Sequence, residues 1–134
     1  MGYQIPPVLC RLFFDLPDAK KPFLMLAGVE HTPAVDPSWS PFSTNESGWY
    51  QWLNVTGSSH QNFADLDDWV DLHGLKNKTI TLLLGTVWAP RMNYIVKMFV
   101  ETFFGFVLGE EQWLKIPNEA SPEVVYINGS AYTL

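Results

Sequence analysis

The chain has 134 residues, of which 16% are charged and 15% are aromatic, and its formal net charge is −6. This length indicates one compact domain over residues 1–134. With only eight Lys and Arg residues there is no basic stripe for a phosphate backbone or an anionic membrane. We therefore expect neither nucleic acid nor membrane as a partner. The single cysteine, Cys10, excludes an intramolecular disulfide.

The N-terminal third, residues 1–47, is rich in proline, with seven of the ten prolines in its first 41 positions. Proline removes a backbone donor and disfavours helix at the residue before it. This third is therefore predicted to consist of short strands, at 8–14 and 23–29, and of turns. Residues 30–48 are predicted to form a long loop, which Trp39 and Phe42 would hold against the domain.

The segment 48–60, GWYQWLNVTGSSH, is predicted to begin with a strand whose aromatic side chains point to both faces of a sheet. Something must cover each face. One face can be covered by the domain's own helices, and the other by the loop at 30–47, by a neighbouring subunit or by a flat ligand. The candidates for an interface or a ligand-binding surface are Trp39, Phe42, Trp49, Tyr50 and Trp52.

Apolar periodicity predicts a helix at 60–73, with Ser59 as its N-cap, and a second helix at about 92–104. The run at 79–88 is rich in β-branched and apolar residues and is typical of a central strand covered on both faces. A short strand is predicted at 112–116, and Asn128-Gly129 predicts a C-terminal β-hairpin. The fold class is therefore predicted as α+β, with a mainly antiparallel sheet of five to seven short strands and two helices.

Few side chains are spaced for chemistry. Asp65 and Asp68 could share a metal ion on the helix, with His60 or His73, but a solvated acidic helix face is the simpler interpretation. No metal site or cofactor is therefore expected. His31, His60 and His73 have no metal-ligand spacing to one another, and no serine lies in a nucleophile elbow. No catalytic residue is assigned.

Four asparagines lie in glycosylation sequons: Asn45, Asn54, Asn77 and Asn128. Turn chemistry explains most of them, and the sequence does not decide whether any carries sugar. The N-terminal residues do not have the pattern of a signal peptide, and no apolar run is long enough to span a membrane. A location in a virion or in the cytoplasm is predicted.

Low charge, many aromatic residues and the lack of a catalytic motif together favour a non-enzymatic function. The sequence predicts a structural or assembly subunit that packs through an aromatic surface, as in a virus or phage particle, with protein neighbours in a homo-oligomer or larger assembly. A small acidic binding module, which sequesters a ligand or blocks a partner protein, is the alternative. An enzyme without a recognisable motif is the third hypothesis.

Overall fold

The computed structural model describes residues 18–32, 34–35, 37, 39–110, 114, 116 and 118–130. In chain order, the elements formed by these residues are β1 (Phe23–Ala27), α1 (Trp39–Asn45), β2 (Tyr50–Val55), α2 (Asp65–Leu72), α3 (Lys78–Leu84), α4 (Ala89–Leu108) and β3 (Val124–Gly129). A short 3₁₀ turn, His60–Phe63, lies between β2 and α2. None of the helices in these ranges combines the length and the apolar character needed to cross a membrane.

The strands form one mixed sheet with β2 in its centre. β1 pairs with β2 in parallel, with Phe23 opposite Tyr50, and β3 pairs with β2 in antiparallel orientation, with Val124 opposite Val55. Because β1 and β2 are parallel, their carboxyl ends lie at the same edge of the sheet, and β3 begins there. We call this edge the carboxyl edge.

The two faces of β2 are covered by different helices. On one face Trp52 is only 1% exposed and packs with Met25 and Ala27, against which Trp39 and Phe42 of α1 lie. The opposite face holds the larger core, in which Trp49 and residues of β2 pack with α4: Trp49, Leu53, Val55, Met92, Ile95, Phe99 and Phe106. Both aromatic faces are thus covered by other parts of this chain.

The predicted fold class is wrong, because the described residues form three strands in one mixed sheet and four helices. The largest error is the strand predicted at 79–88, where the structure has α3. The Asn77 side chain accepts a hydrogen bond from the Ile80 amide (3.1 Å) and caps this helix. Leu84 is buried whereas Leu82 is 78% exposed. Such one-sided burial suits a surface helix and not a strand covered on both faces.

The predicted long loop at 30–48 is also wrong, because it contains α1. Because of this helix, the connection between β1 and β2 is a crossover, which is the kind of connection that parallel strands need. Antiparallel neighbours were predicted here. The predicted hairpin turn at Asn128-Gly129 lies inside β3, where the two residues pair with Trp52 and Gln51. The predicted strand at 8–14 and residues 131–134 lie outside the described residues, as does most of 112–116.

Candidate functional site

Two histidines that are 29 positions apart in the sequence meet at the carboxyl edge of the sheet. β2 ends at Val55, and a tight turn leads from it to His60. β1 ends at Ala27 and is followed by a turn in which the His31 amide donates to the Gly28 carbonyl (3.0 Å). The carboxyl ends of parallel strands are the usual place for binding and catalytic side chains in α/β sheets.

The rings of the two histidines are in direct contact. His31 Nε2 lies 3.2 Å from His60 Nδ1, which is a hydrogen-bonding distance. Glu30 Oε2 accepts a hydrogen bond from the backbone amide of His60 (3.1 Å). On its other side the His31 ring stacks on Trp39, with ring centroids 4.7 Å apart and planes inclined by 13°. His60 is exposed to solvent, whereas His31 is half-buried.

The turn that carries His60 is fixed by backbone contacts from two sides. The Val29 amide donates to the Ser58 carbonyl (2.9 Å), which joins the turn to the end of β1. The Ser59 hydroxyl donates to the Leu83 carbonyl, and the Thr86 amide donates to the Gly57 carbonyl (2.7 Å), which joins the turn to the end of α3. These bonds leave the His60 backbone little freedom to move relative to the sheet.

Gly28 permits the close approach of the two strand ends. A Cβ atom at this position would lie 3.1 Å from the Ser59 carbonyl carbon and 3.3 Å from the His60 amide nitrogen. Backbone atoms at such distances cannot move aside without shifting the turn. A larger residue here would therefore displace the His60 turn by a few tenths of an ångström from the end of β1.

A buried polar pair holds the residues that follow His60. The Asn62 amide group donates to Asp67 Oδ2 and also to the Val87 carbonyl (3.3 Å). Burial raises the pKa of Asp67 above its ordinary value, and Lys76, whose Nζ lies 3.6 Å from Asp67 Oδ1, opposes this effect. The pair joins the 3₁₀ turn to α2 and so fixes the second end of the His60 segment.

The predicted interface residues are dispersed in the structure. Trp39 reaches the histidine pair, but Trp49 lies in the core, where its ring is 4.6 Å from that of Phe106. Trp52 is buried behind Trp39, and Phe42 packs on Phe23. Tyr50 begins β2, at the edge of the sheet away from the histidines. Their proposed role in binding a partner or a ligand stays a prediction.

Asp65 and Asp68 were the weak metal candidates. Asp68 accepts two hydrogen bonds from the Asn93 amide group (2.8 and 2.9 Å), and Asp65 is exposed in the first turn of α2. Within the described ranges, no three His, Cys, Asp or Glu side chains come close enough together to hold a metal ion.

Sequence reasoning did not single out the pair of His31 and His60. The signal for His60 is its position in GSSH, shortly after the apolar part of the segment 48–60, where a tight turn would bring it back over the strand end. The signal for His31 depends on β1 and β2 being parallel, which the prediction of an antiparallel sheet obscured. Among the described residues, no serine, threonine or cysteine side chain is hydrogen-bonded to the His60 ring.

Comparison with known proteins gives one informative similarity. Neither a protein-family model nor a curated protein matches the chain. The structure is similar to that of a ferulic acid esterase from Streptomyces cinnamoneus, with a TM-score of 0.68 and 27% sequence identity. The similarity covers 84% of this chain and 36% of the esterase chain, so this chain spans about a third of the esterase's length.

This similarity corrects the functional prediction from sequence. A similarity to an esterase over most of the chain points to a hydrolase fold and not to a non-enzymatic subunit of a virus or phage particle. The physical argument for assembly was that a small domain with few charges cannot cover its own aromatic residues. That argument fails where it was applied, because Trp49 and Trp52 are buried within the chain on opposite faces of β2.

Proposed function

We propose that this chain carries the general-base histidine of a carboxylic ester hydrolase, and that this histidine is His60. The observation that carries the proposal is the position of His60 at the carboxyl edge of a parallel strand pair, in a chain that resembles an esterase. Of the three histidines, only His31 and His60 lie at this edge, and the His60 ring is the more exposed of the two.

The chemistry of ester hydrolysis requires such a group. A base removes the proton of a hydroxyl nucleophile as it attacks the ester carbonyl, and the same group then returns the proton to the leaving alcohol. An imidazole serves both steps because it can accept and donate a proton near neutral pH. The exposed ring of His60, on a turn fixed by backbone bonds, meets the requirements of access and fixed position.

Glu30 adds a negative charge to this site. Its carboxylate accepts a hydrogen bond from the His60 amide and therefore lies next to the residue that becomes positively charged when it takes up the proton. A carboxylate near an imidazole ring favours the imidazolium that forms when the ring takes up a proton. We assign this electrostatic role to Glu30.

The sequence does not identify the nucleophile. In α/β-hydrolases the nucleophile comes first in the sequence, the acid follows, and the histidine comes last, after a late strand. The 134 residues contain no Gly-x-Ser-x-Gly sequence. We therefore assign the histidine and leave the nucleophile unassigned.

The experiment is an esterase assay of the native polypeptide with p-nitrophenyl acetate and with methyl ferulate. We expect His60→Ala to lower kcat by about 10²–10⁴-fold, the usual contribution of general acid-base catalysis. His73→Ala is the matched control, since His73 is a histidine in contact with a tryptophan on α2 and lies outside the site. An inactive native protein, or equal loss in both variants, would contradict the proposal.

The cytoplasmic location and the homo-oligomer predicted from the sequence stay predictions. Neither is needed for the proposed activity.

A further inference from the structure

We infer that His31 is the positioning residue of the site: its Nε2 accepts the Nδ1 proton of His60 and so leaves His60 Nε2 ready to take a proton from the nucleophile. The inference rests on the proposed function only in so far as His60 is the base. The inference states which nitrogen of each histidine ring carries the proton.

The tautomer of a neutral histidine is set by the hydrogen bond that one of its nitrogens makes. The ring carries a single proton, on Nδ1 or on Nε2. His60 Nδ1 faces His31 Nε2 at 3.2 Å, so the nitrogen of His60 that remains for a reactant is Nε2. If Nδ1 carries the proton and donates it to His31, Nε2 is the basic nitrogen. Without an acceptor at Nδ1, both tautomers of His60 would be populated.

His31 is itself held in place by its neighbours. Its ring stacks on Trp39, whose centroid lies 5.5 Å from that of the buried Trp52. Its backbone amide donates to the Gly28 carbonyl (3.0 Å) at the end of β1. Through the indole rings of Trp39 and Trp52, His31 is therefore packed against the core. His60, although exposed to solvent, has in His31 a partner with a fixed position.

In this arrangement two residues, His31 and Glu30, share the roles that one carboxylate has in a Ser-His-Asp triad. There the aspartate both holds the histidine tautomer and stabilises the imidazolium. Here the His31 ring holds the tautomer, and the Glu30 carboxylate, on the backbone side of His60, supplies the negative charge. Loss of His31 should therefore lower kcat and leave KM nearly unchanged, because substrate binding does not depend on the tautomer.

Two substitutions separate the acceptor from the packing. His31→Phe keeps a flat ring against Trp39 and removes the acceptor. His31→Gln restores an acceptor through its side-chain oxygen. We expect His31→Phe to lower kcat by about ten- to a hundredfold, the size found for groups that orient a metal-binding histidine, and His31→Gln to recover most of it. His73→Phe, at another histidine in contact with a tryptophan, is the matched control and should leave kcat unchanged.

A measurement that does not depend on activity keeps the inference separate from the proposed function. Long-range ¹H–¹⁵N correlation spectra report which ring nitrogen carries the proton. We expect protonated Nδ1 on His60 in the wild type and in His31→Gln, and a mixture of tautomers in His31→Phe. An inactive protein with this dependence on His31 would refute the proposed function and support the positioning role. An active protein in which His31→Phe changes neither kcat nor the His60 tautomer would overturn the inference.

Discussion

The carboxyl edge and the outer surface of α2 and α3 are built in opposite ways. At the carboxyl edge, the turn before His60 is bonded to the ends of β1 and α3, and the residues after it are held by the buried pair of Asn62 and Asp67. On the outer surface, large apolar side chains are exposed: Leu66, Trp69, Leu72, Leu82, Leu83 and Trp88.

The two regions differ in the kind of interaction that holds their side chains. Directional bonds with defined partners hold the His60 turn at the carboxyl edge, whereas the exposed apolar side chains of the outer surface are not held by such bonds. Residues at the carboxyl edge should therefore be sensitive to substitution, and residues on the outer surface should tolerate it. The predictions below test this contrast.

The largest expected effect contrasts two leucines two positions apart in α3. Leu84 is fully buried and its carbonyl lies at the His60 turn, where it accepts from the Ser59 amide (3.4 Å), whereas Leu82 is 78% exposed. We expect Leu84→Ala to lower the free energy of unfolding by about 3 kcal/mol, since a buried leucine leaves a cavity. Leu82→Ala should change it by less than about 0.5 kcal/mol. Urea denaturation measures both, and equal effects would remove the contrast.

The second prediction concerns the buried pair. Asp67→Ala leaves the Asn62 amide group with only its longer bond to Val87, and we expect a loss of about 2 kcal/mol, the cost of an unsatisfied buried polar group. Asp65→Ala, at an exposed carboxylate on the same helix, is the control and should cost less than about 1 kcal/mol. A loss of the same size in both would mean that the carboxylates act only through the helix dipole.

The third prediction concerns how the stability of the protein depends on pH through Asp67 of the same pair. The pKa of Asp67 is raised in the folded protein by burial, so the folded state holds this proton more firmly than the unfolded chain does. The part of the stability that comes from this proton, as distinct from the hydrogen bond with Asn62, is therefore fully present below the ordinary aspartate pKa and is lost as pH rises through the raised value. Asp67→Asn, which cannot ionise, should remove this fall in stability, as denaturation at a series of pH values would reveal.

The sequence predicted local patterns better than it predicted their arrangement. The apolar run at 23–29 contains β1, and the segment at 48–60 contains β2, as their apolar and aromatic composition favours. The run at 79–88 has the same composition but forms α3. The deciding features there are the Asn77 cap and Gly85, whose φ of 95° ends the helix. Composition in a short window cannot represent such end effects.

The site was harder to predict than the strands because it is assembled from distant segments. His31 and His60 are brought together by the parallel pairing of β1 and β2, which in turn depends on the crossover through α1. A single missed helix, Trp39–Asn45, changed the predicted sheet from parallel to antiparallel at this point and separated the two histidines. The residues themselves were visible in the sequence, whereas their proximity was not.

The smallest effect concerns an ion pair at the carboxyl edge. Arg91 Nε and Nη2 donate to the two oxygens of Glu123 (2.8 and 2.7 Å), and Nη2 also donates to the Ala120 carbonyl (2.7 Å). This joins the first turn of α4 to the residue before β3. We expect Glu123→Gln to lower the free energy of unfolding by about 1 kcal/mol at neutral pH, a modest value because both side chains are about 30% exposed.

The pH dependence and a matched control identify the cause of that loss. Hydrogen bonds from Arg91 lower the pKa of Glu123, so its contribution is present above the ordinary glutamate pKa and disappears as pH falls through the lowered value. The difference between wild type and Glu123→Gln should therefore vanish in acid. Glu101→Gln breaks a pair with Lys97 that is 3.8 Å long and largely exposed, and should cost less than about 0.5 kcal/mol at any pH. Glu123→Gln and Glu101→Gln could lower the free energy of unfolding by the same amount at neutral pH. In that case the bidentate geometry of Arg91 and Glu123 would add nothing to an ordinary surface ion pair. The contrast between the two regions would then depend on the buried groups alone.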